Sequence, residues 1–222
     1  RHDCREKVRP LFTGIARVER LAWAMQEVEQ CRMQLPRKPG AKPCRYASPM
    51  TESEADYSLV LDSPLGRLGV RLQDEQICGV GFLPDSVSLA TGSGAFAARI
   101  AAQFSAYFRD PRCSVRLPVA LQGTPFQCRV WQALQRIPAG ETRSYGELAE
   151  LLGTGARAVG NACRHNPLPI IVPCHRVVGA TGLGGYAGHT DAGRTLGRKR
   201  WLLEHEGVDT AGLKKRQPAP KR

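Results

Sequence analysis

With 222 residues and 42% apolar content, the chain can bury a core of its own, which excludes a wholly disordered polypeptide. Lys and Arg outnumber Asp and Glu by 32 to 20, a formal net charge of +12, and such a field suits a polyanionic partner. No apolar run reaches transmembrane length, about 18 residues, and the first residues lack the apolar core of a signal peptide, so a soluble protein that does not enter a membrane is expected. The sequence opens on Arg1 rather than Met, so an incomplete start is expected. Eight cysteines, at 4, 31, 44, 78, 113, 128, 163 and 174, form no CxxC pair, which favours a reduced, intracellular chain. Cys4, Cys31, Cys44 and His2 lack the paired spacing of a structural zinc site, so no metal is expected.

Apolar residues from Leu11 to Met33 recur at helical spacing and predict one amphipathic helix, ended by Pro36. A Pro-rich, basic stretch over 37–55 reads as a linker, so 1–54 is set apart. Three short runs follow, Tyr57 to Asp62, Leu68 to Leu72 and Ile77 to Leu83, separated by Ser63-Pro64-Leu65-Gly66 and Gln73-Asp74-Glu75; these predict an antiparallel meander. Phe96, Ile100, Phe104, Tyr107 and Phe108 mark one face of a helix that would cover the sheet, which closes a mixed domain over 55–120.

The remainder, 121–212, reads as helical. Thr124-Pro125-Phe126-Gln127 supplies an N-cap, a proline at the first helical position and a capping-box Gln, ahead of Val130, Trp131 and Leu134. Pro138-Ala139-Gly140 stops that helix, and Ser144-Tyr145-Gly146-Glu147 is a second capping box. Gly153-Thr154 then turns the chain into a third helix from Gly155 to about His165, rich in small residues and carrying Arg157 and Arg164. The pair fits a helix-turn-helix or a plain αα-hairpin. Residues 213–222, with Lys214, Lys215, Arg216, Lys221 and Arg222 on either side of Pro218 and Pro220, read as a disordered basic tail.

The segment Asn166-Pro167-Leu168-Pro169-Ile170-Ile171-Val172-Pro173-Cys174-His175-Arg176-Val177 sets a thiol beside an imidazole and a guanidinium, after a proline-stiffened approach. A cysteine is a nucleophile as its thiolate, and neighbouring cations or bases favour that form. A lone cysteine is just as readily a small buried hydrophobe, and the adjacent Cys and His alone do not separate the two readings.

The runs GTPFQCRVWQALQRIPAGETR, SYGELA, RAVGNACRHNPLPIIVPCHRVVG, GYAG and RKRWLLEHEG resemble the O6-alkylguanine-DNA alkyltransferases, over roughly residues 55 to 210 and most densely after Leu121. The resemblance implies an α+β protein of two domains. One is a ribonuclease-H-like domain with a small antiparallel sheet; the other is a helical winged-helix domain carrying the active site. It implies that Cys174 accepts an alkyl group from guanine O6 (or thymine O4) in double-stranded DNA, once per molecule and without a cofactor. His175 would take the thiol proton through a water, Glu206 would orient His175, Tyr145 would donate to the leaving guanine, and Asn166 would hold the Cys174 segment. Arg157 would fill the space left by a flipped base, with Ala156, Gly160 and Arg164 at the DNA. Tyr186, Ala187, Gly188, Lys199 and Val177 would surround the base.

The family also implies a monomer acting in a bacterial cytoplasm or a eukaryotic nucleus. Two other readings stay open, a non-catalytic binder of alkylated bases and a cysteine hydrolase using Cys174 and His175. This chain departs from the family at a compressed Gly153-Thr154-Gly155 turn and at an apparent insertion, His189 to Thr195.

Overall fold

The computed structural model describes residues 57–187 and 193–215. The helix expected over 11–33, the linker, Gly188, most of the 189–195 insertion and the end of the basic tail lie outside the described residues.

Three strands, β1 (Leu59–Leu61), β2 (Arg67–Gln73) and β3 (Gln76–Leu83), form an antiparallel sheet in the order β1-β2-β3. Leu59 pairs with Val70, and Val70 with Val80, so successive strands bury the same face. The β2–β3 hairpin closes on two residues, Asp74 and Glu75, both in the left-handed region at φ 50° and 58°, as a type I′ turn requires. Helix α1 (Ala95–Arg109) buries Ala97, Ile100, Phe104 and Tyr107 at helical spacing, and Gly92 lies close to both Ala97 of the helix and Leu59 of the sheet.

The chain then lays Pro118 and Ala120 against β3, with Ile77 N donating to Pro118 O and Ala120 N to Ile77 O, both at 2.9 Å. Both expected capping boxes are present. Thr124 caps α2 (Pro125–Gln135) with Gln127, and Ser144 caps α3 (Tyr145–Leu151) with Glu147. Gly153, at φ 63°, turns the chain into α4 (Ala156–Arg164), within a residue of the range expected from sequence. Helix α4 packs on α2 and α3, and Trp131 Nε1 of α2 donates to Ala162 O at 2.9 Å.

Beyond α4 a tight 3-10 turn, Cys174–Arg176, leads into β5 (Val177–Val178), which pairs in parallel with β4 (Arg143–Ser144). The last helix, α5 (Arg194–His205), buries Lys199, Leu202 and Leu203, and Leu203 joins Val178 and Leu213 in a small core. The architecture is therefore α+β, a small antiparallel sheet with several helices. No helix among the described residues is long and apolar enough to cross a membrane. Among the described residues, Cys113, Cys128, Cys163 and Cys174 are free thiols.

Candidate active site

Asn166 organises the approach to Cys174. Its Oδ1 accepts from Leu168 N at 3.0 Å, and its Nδ2 donates to Val172 O at 2.8 Å and to Cys174 Sγ at 3.2 Å. The loop it closes contains Ile170 at φ 75°, a strained conformation for a β-branched residue, held by the bond from Val172 N to Leu168 O. Val80 N of β3 donates to Pro167 O at 2.9 Å, so the sheet braces the same segment.

Cys174 is only 5% exposed. Burial pushes its thiol pKa up, against the opposing effects of the Asn166 hydrogen bond and the Lys199 charge. The resting sulfur is therefore a thiol, and nucleophilic attack requires a base to take its proton.

His175, one residue on, is fully buried. Its Nε2 lies 3.0 Å from Glu206 Oε1, and its buried Nδ1 has no hydrogen-bond partner. Arg176 grips the same carboxylate as a fork, Nη2 to Oε1 at 2.7 Å and Nε to Oε2 at 2.9 Å, and also donates to Ile137 O. Burial raises the proton affinity of Glu206, but the hydrogen bonds from His175 and Arg176 outweigh it and hold the carboxyl at about 2. Burial lowers the His175 pKa more than Glu206 restores it, so the imidazole is neutral. An ionised Glu206 at Nε2 places the proton there and leaves the Nδ1 lone pair free to accept one.

Lys199, expected either near the site or on a solvated basic face, is 0% exposed. Its three ammonium protons go to the carbonyls of Val177, Leu183 and Gly185 at 2.6, 2.7 and 2.8 Å, tying the loop after β5 to α5. Burial brings its pKa down to about 8, which leaves it a cation at neutral pH and the positive charge acting on Cys174. Val177 contributes its carbonyl to this clamp, and its side chain is buried in β5.

A cleft of about 320 Å³ of empty space, partly open to solvent, is lined by Tyr145, Gly160, Cys163, Arg164, Cys174, Gly185, Tyr186 and Ala187. Tyr145 donates its hydroxyl to Gly185 O at 3.0 Å, and Lys199 Nζ stands 5.7 Å from the centre of its ring. Tyr186 is buried, with its hydroxyl turned toward Cys174. The cleft thus brings Tyr145, Gly160, Arg164, Tyr186 and Ala187 to the thiol. Ala156 and Arg157 stand apart from it, exposed on the first turn of α4.

Three participants are additions to the sequence reading. Arg176, expected to favour the thiolate, clamps Glu206 instead. Tyr107, assigned only to the helix covering the sheet, donates its hydroxyl to Glu206 Oε1 at 2.8 Å, and Cys163 lines the cleft beside Cys174. The available signal for Tyr107 was a tyrosine on an otherwise apolar helix face, since a buried hydroxyl needs a partner.

The DNA-binding domain model of the 6-O-methylguanine DNA methyltransferases matches residues 125–208. The methylated-DNA–protein-cysteine methyltransferase of Mycobacterium leprae is 47% identical over 154 residues, 66% of this chain and 89% of that protein. The one from Methanosarcina acetivorans is 38% identical over 159 residues, covering 68% and 98%. The crystal structure of the Mycobacterium tuberculosis O6-methylguanine methyltransferase superposes with a TM-score of 0.56 at 40% identity, over 72% of this chain and 94% of that one. The Mycobacterium tuberculosis protein in complex with DNA gives 0.55 at 43% identity, with the same coverage. With a buried cysteine, a neutral histidine and a carboxylate assembled from the very segments that match, the chain belongs to the methylated-DNA–protein-cysteine methyltransferase family.

Proposed function

We propose that the protein repairs DNA by direct reversal, moving a methyl or other alkyl group from guanine O6 in duplex DNA onto Cys174 in a single turnover. The observation that carries this reading is the array Asn166–Cys174–His175–Glu206, of which Cys174 lines the cleft, with the thiol protonated and the adjacent imidazole neutral. The thiol proton passes through a water to His175 Nδ1, and Glu206 stabilises the imidazolium that forms. Sulfur attacks the alkyl carbon in line, the C–S bond forms as the C–O6 bond breaks, and the electron pair moves onto the guanine. Tyr145 gives up its bond to Gly185 O and donates to the departing base, neutralising its developing charge. The product is a thioether, which the site cannot cleave, so each molecule acts once. No step calls for a metal or cofactor.

Access requires a base out of the stack. Helix α4 presents Arg157 and Ala156 at an exposed end and Gly160 and Arg164 at the cleft, so we assign α4 to the minor groove, with Arg157 filling the space of the flipped base. In this reading the sheet and α1 correspond to the ribonuclease-H-like domain, 121–212 to the winged-helix catalytic domain, and Tyr186, Ala187 and Gly188 to the pocket wall. The protein works as a monomer, inside the cell.

The deciding experiment is mass spectrometry of the intact protein and its peptides after incubation with duplex DNA containing O6-methylguanine. One added methyl on the Cys174 peptide, saturating at one per molecule and absent in Cys174→Ala, is expected. Tight binding without a mass change would instead identify a non-catalytic binder of alkylated bases, and repeated turnover a hydrolase.

A further inference from the structure

Tyr107 lies on α1, outside the segments that carry the proposed chemistry, yet its side chain ends at the catalytic carboxylate. The ring is 2% exposed and is wedged edge-on against Phe108 and His205, with centroids 5.4 and 5.5 Å away. His205 Nε2 meets the Tyr107 carbonyl at 2.9 Å, so the C-terminal ends of α1 and α5 are bound together at this residue. A phenylalanine would satisfy the packing as well, and burying a hydroxyl is costly unless it is paired. The partner found here is Glu206 Oε1, at 2.8 Å.

The donors on Glu206 can be enumerated. Oε1 receives Tyr107 Oη, His175 Nε2 and Arg176 Nη2, and Oε2 receives Arg176 Nε. A carboxylate oxygen has about two lone-pair sites, so the three donors on Oε1 compete for it while Oε2 carries one. Tyr107 and His175 share one oxygen, and density drawn toward the phenol is withheld from the imidazole.

We propose that Tyr107 is a positioning residue for alkyl transfer, fixing Glu206 from the sheet-covering helix and limiting how strongly that carboxylate holds the imidazolium form of His175. The inference rests on the function proposed above. Without the phenol, Glu206 Oε1 becomes a stronger acceptor, the imidazolium is favoured, and the neutral base is lost at a higher pH. The other charged or titratable groups around His175 are Lys199 on α5, Arg176 and Cys174 on its own turn, and Tyr186 from the loop before α5. The substitution leaves each of these side chains in place, and Tyr186 alone of them is coupled to Tyr107.

The test is the single-turnover rate of methyl transfer from O6-methylguanine duplex DNA, followed from about pH 5 to pH 9 around the histidine range, for wild type, Tyr107→Phe and Phe108→Leu. Tyr107→Phe is expected to move the acid limb of the profile up by roughly half a pH unit, so that its rate is about threefold lower on the limb and equal to wild type above it. Phe108→Leu, a packing change on the same helix, lowers the unfolding temperature and leaves the limb in place. 3-Fluorotyrosine at position 107, a stronger donor of the same shape, moves the limb down and serves equally if the Phe variant does not fold. A limb that stays put in these variants, or a rate lowered by one factor at every pH, overturns the proposal. Wild-type protein that takes no methyl would refute the function itself, a separate outcome.

Discussion

At Cys174 the local sequence and the folded environment pull in opposite directions. The neighbours His175 and Arg176 suggested a thiolate, but burial keeps the sulfur protonated and Arg176 turns away to Glu206. The charge near the thiol comes from Lys199, twenty-five positions along the chain, and the hydrogen bond comes from Asn166. In the proposed reaction nucleophilicity is released only on demand, by proton transfer to a neutral histidine, which suits a protein spent in one reaction. Asn166 spends its side chain on three groups within eight residues, so Asn166→Ala strands Leu168 N in the buried loop and leaves Val172 O with Cys174 N alone. The expected cost is about 1–3 kcal/mol of unfolding free energy, together with a slower transfer at unchanged DNA affinity. Urea denaturation and single-turnover kinetics check the two parts. Unchanged stability would mean that Pro167, Pro169 and Pro173 hold the loop without the Asn166 clamp.

The helices were legible because their signals are local. Capping boxes at Thr124 and Ser144, the stop after Gln135 and the glycine turn at Gly153 depend on residues within a turn of one another, and each stands where the sequence puts it. The strands were legible from alternation, with boundaries that moved by a residue or two at β2 and β3 and shortened β1 to Leu59–Leu61. Helix α4 shows the division of labour within an element. Val159, Ala162 and Cys163 face the core, while Ala156 and Arg157 face solvent. Because Arg157 is exposed, Arg157→Ala is expected to leave stability unchanged. It should slow transfer from duplex DNA by roughly 10²-fold, the equivalent of a few kcal/mol of lost help in unstacking the base. Transfer from the free base O6-benzylguanine, which needs no flipping, is expected to proceed at the wild-type rate. A parallel loss on both substrates would place Arg157 in folding or chemistry instead.

For the whole molecule, Glu206 is the point where α1, the 3-10 turn and the end of α5 converge. Its carboxyl sits at about 2 against an ordinary 4.5, a depressed folded-state value. The stability it contributes is therefore fully present above about pH 4.5 and is lost as pH falls toward 2, amounting to about 3 kcal/mol. Buried His175, whose pKa is also depressed, adds to the loss below its ordinary 6.5, because the unfolded chain binds that proton more readily. Acid unfolding followed by circular dichroism is expected to come at lower pH for wild type than for Glu206→Gln, and the gap between them to close toward pH 2. A constant difference from pH 2 to pH 7 would show that the pairing carries no linkage.

The sequence by itself determined the order of elements, their caps, the basic character and, through the PCHRV and RAVG segments, the chemistry to expect, because those properties are set by neighbours along the chain. Tertiary structure alone decided that Lys199 is buried on three carbonyls, that Arg176 serves Glu206, that Cys163 enters the cleft, and that Tyr107 reaches across 99 positions to the Glu206 carboxylate. The physical reason is that desolvation and hydrogen-bond pairing depend on which surfaces meet, and a buried polar atom takes whatever partner the packing brings within 3 Å or so.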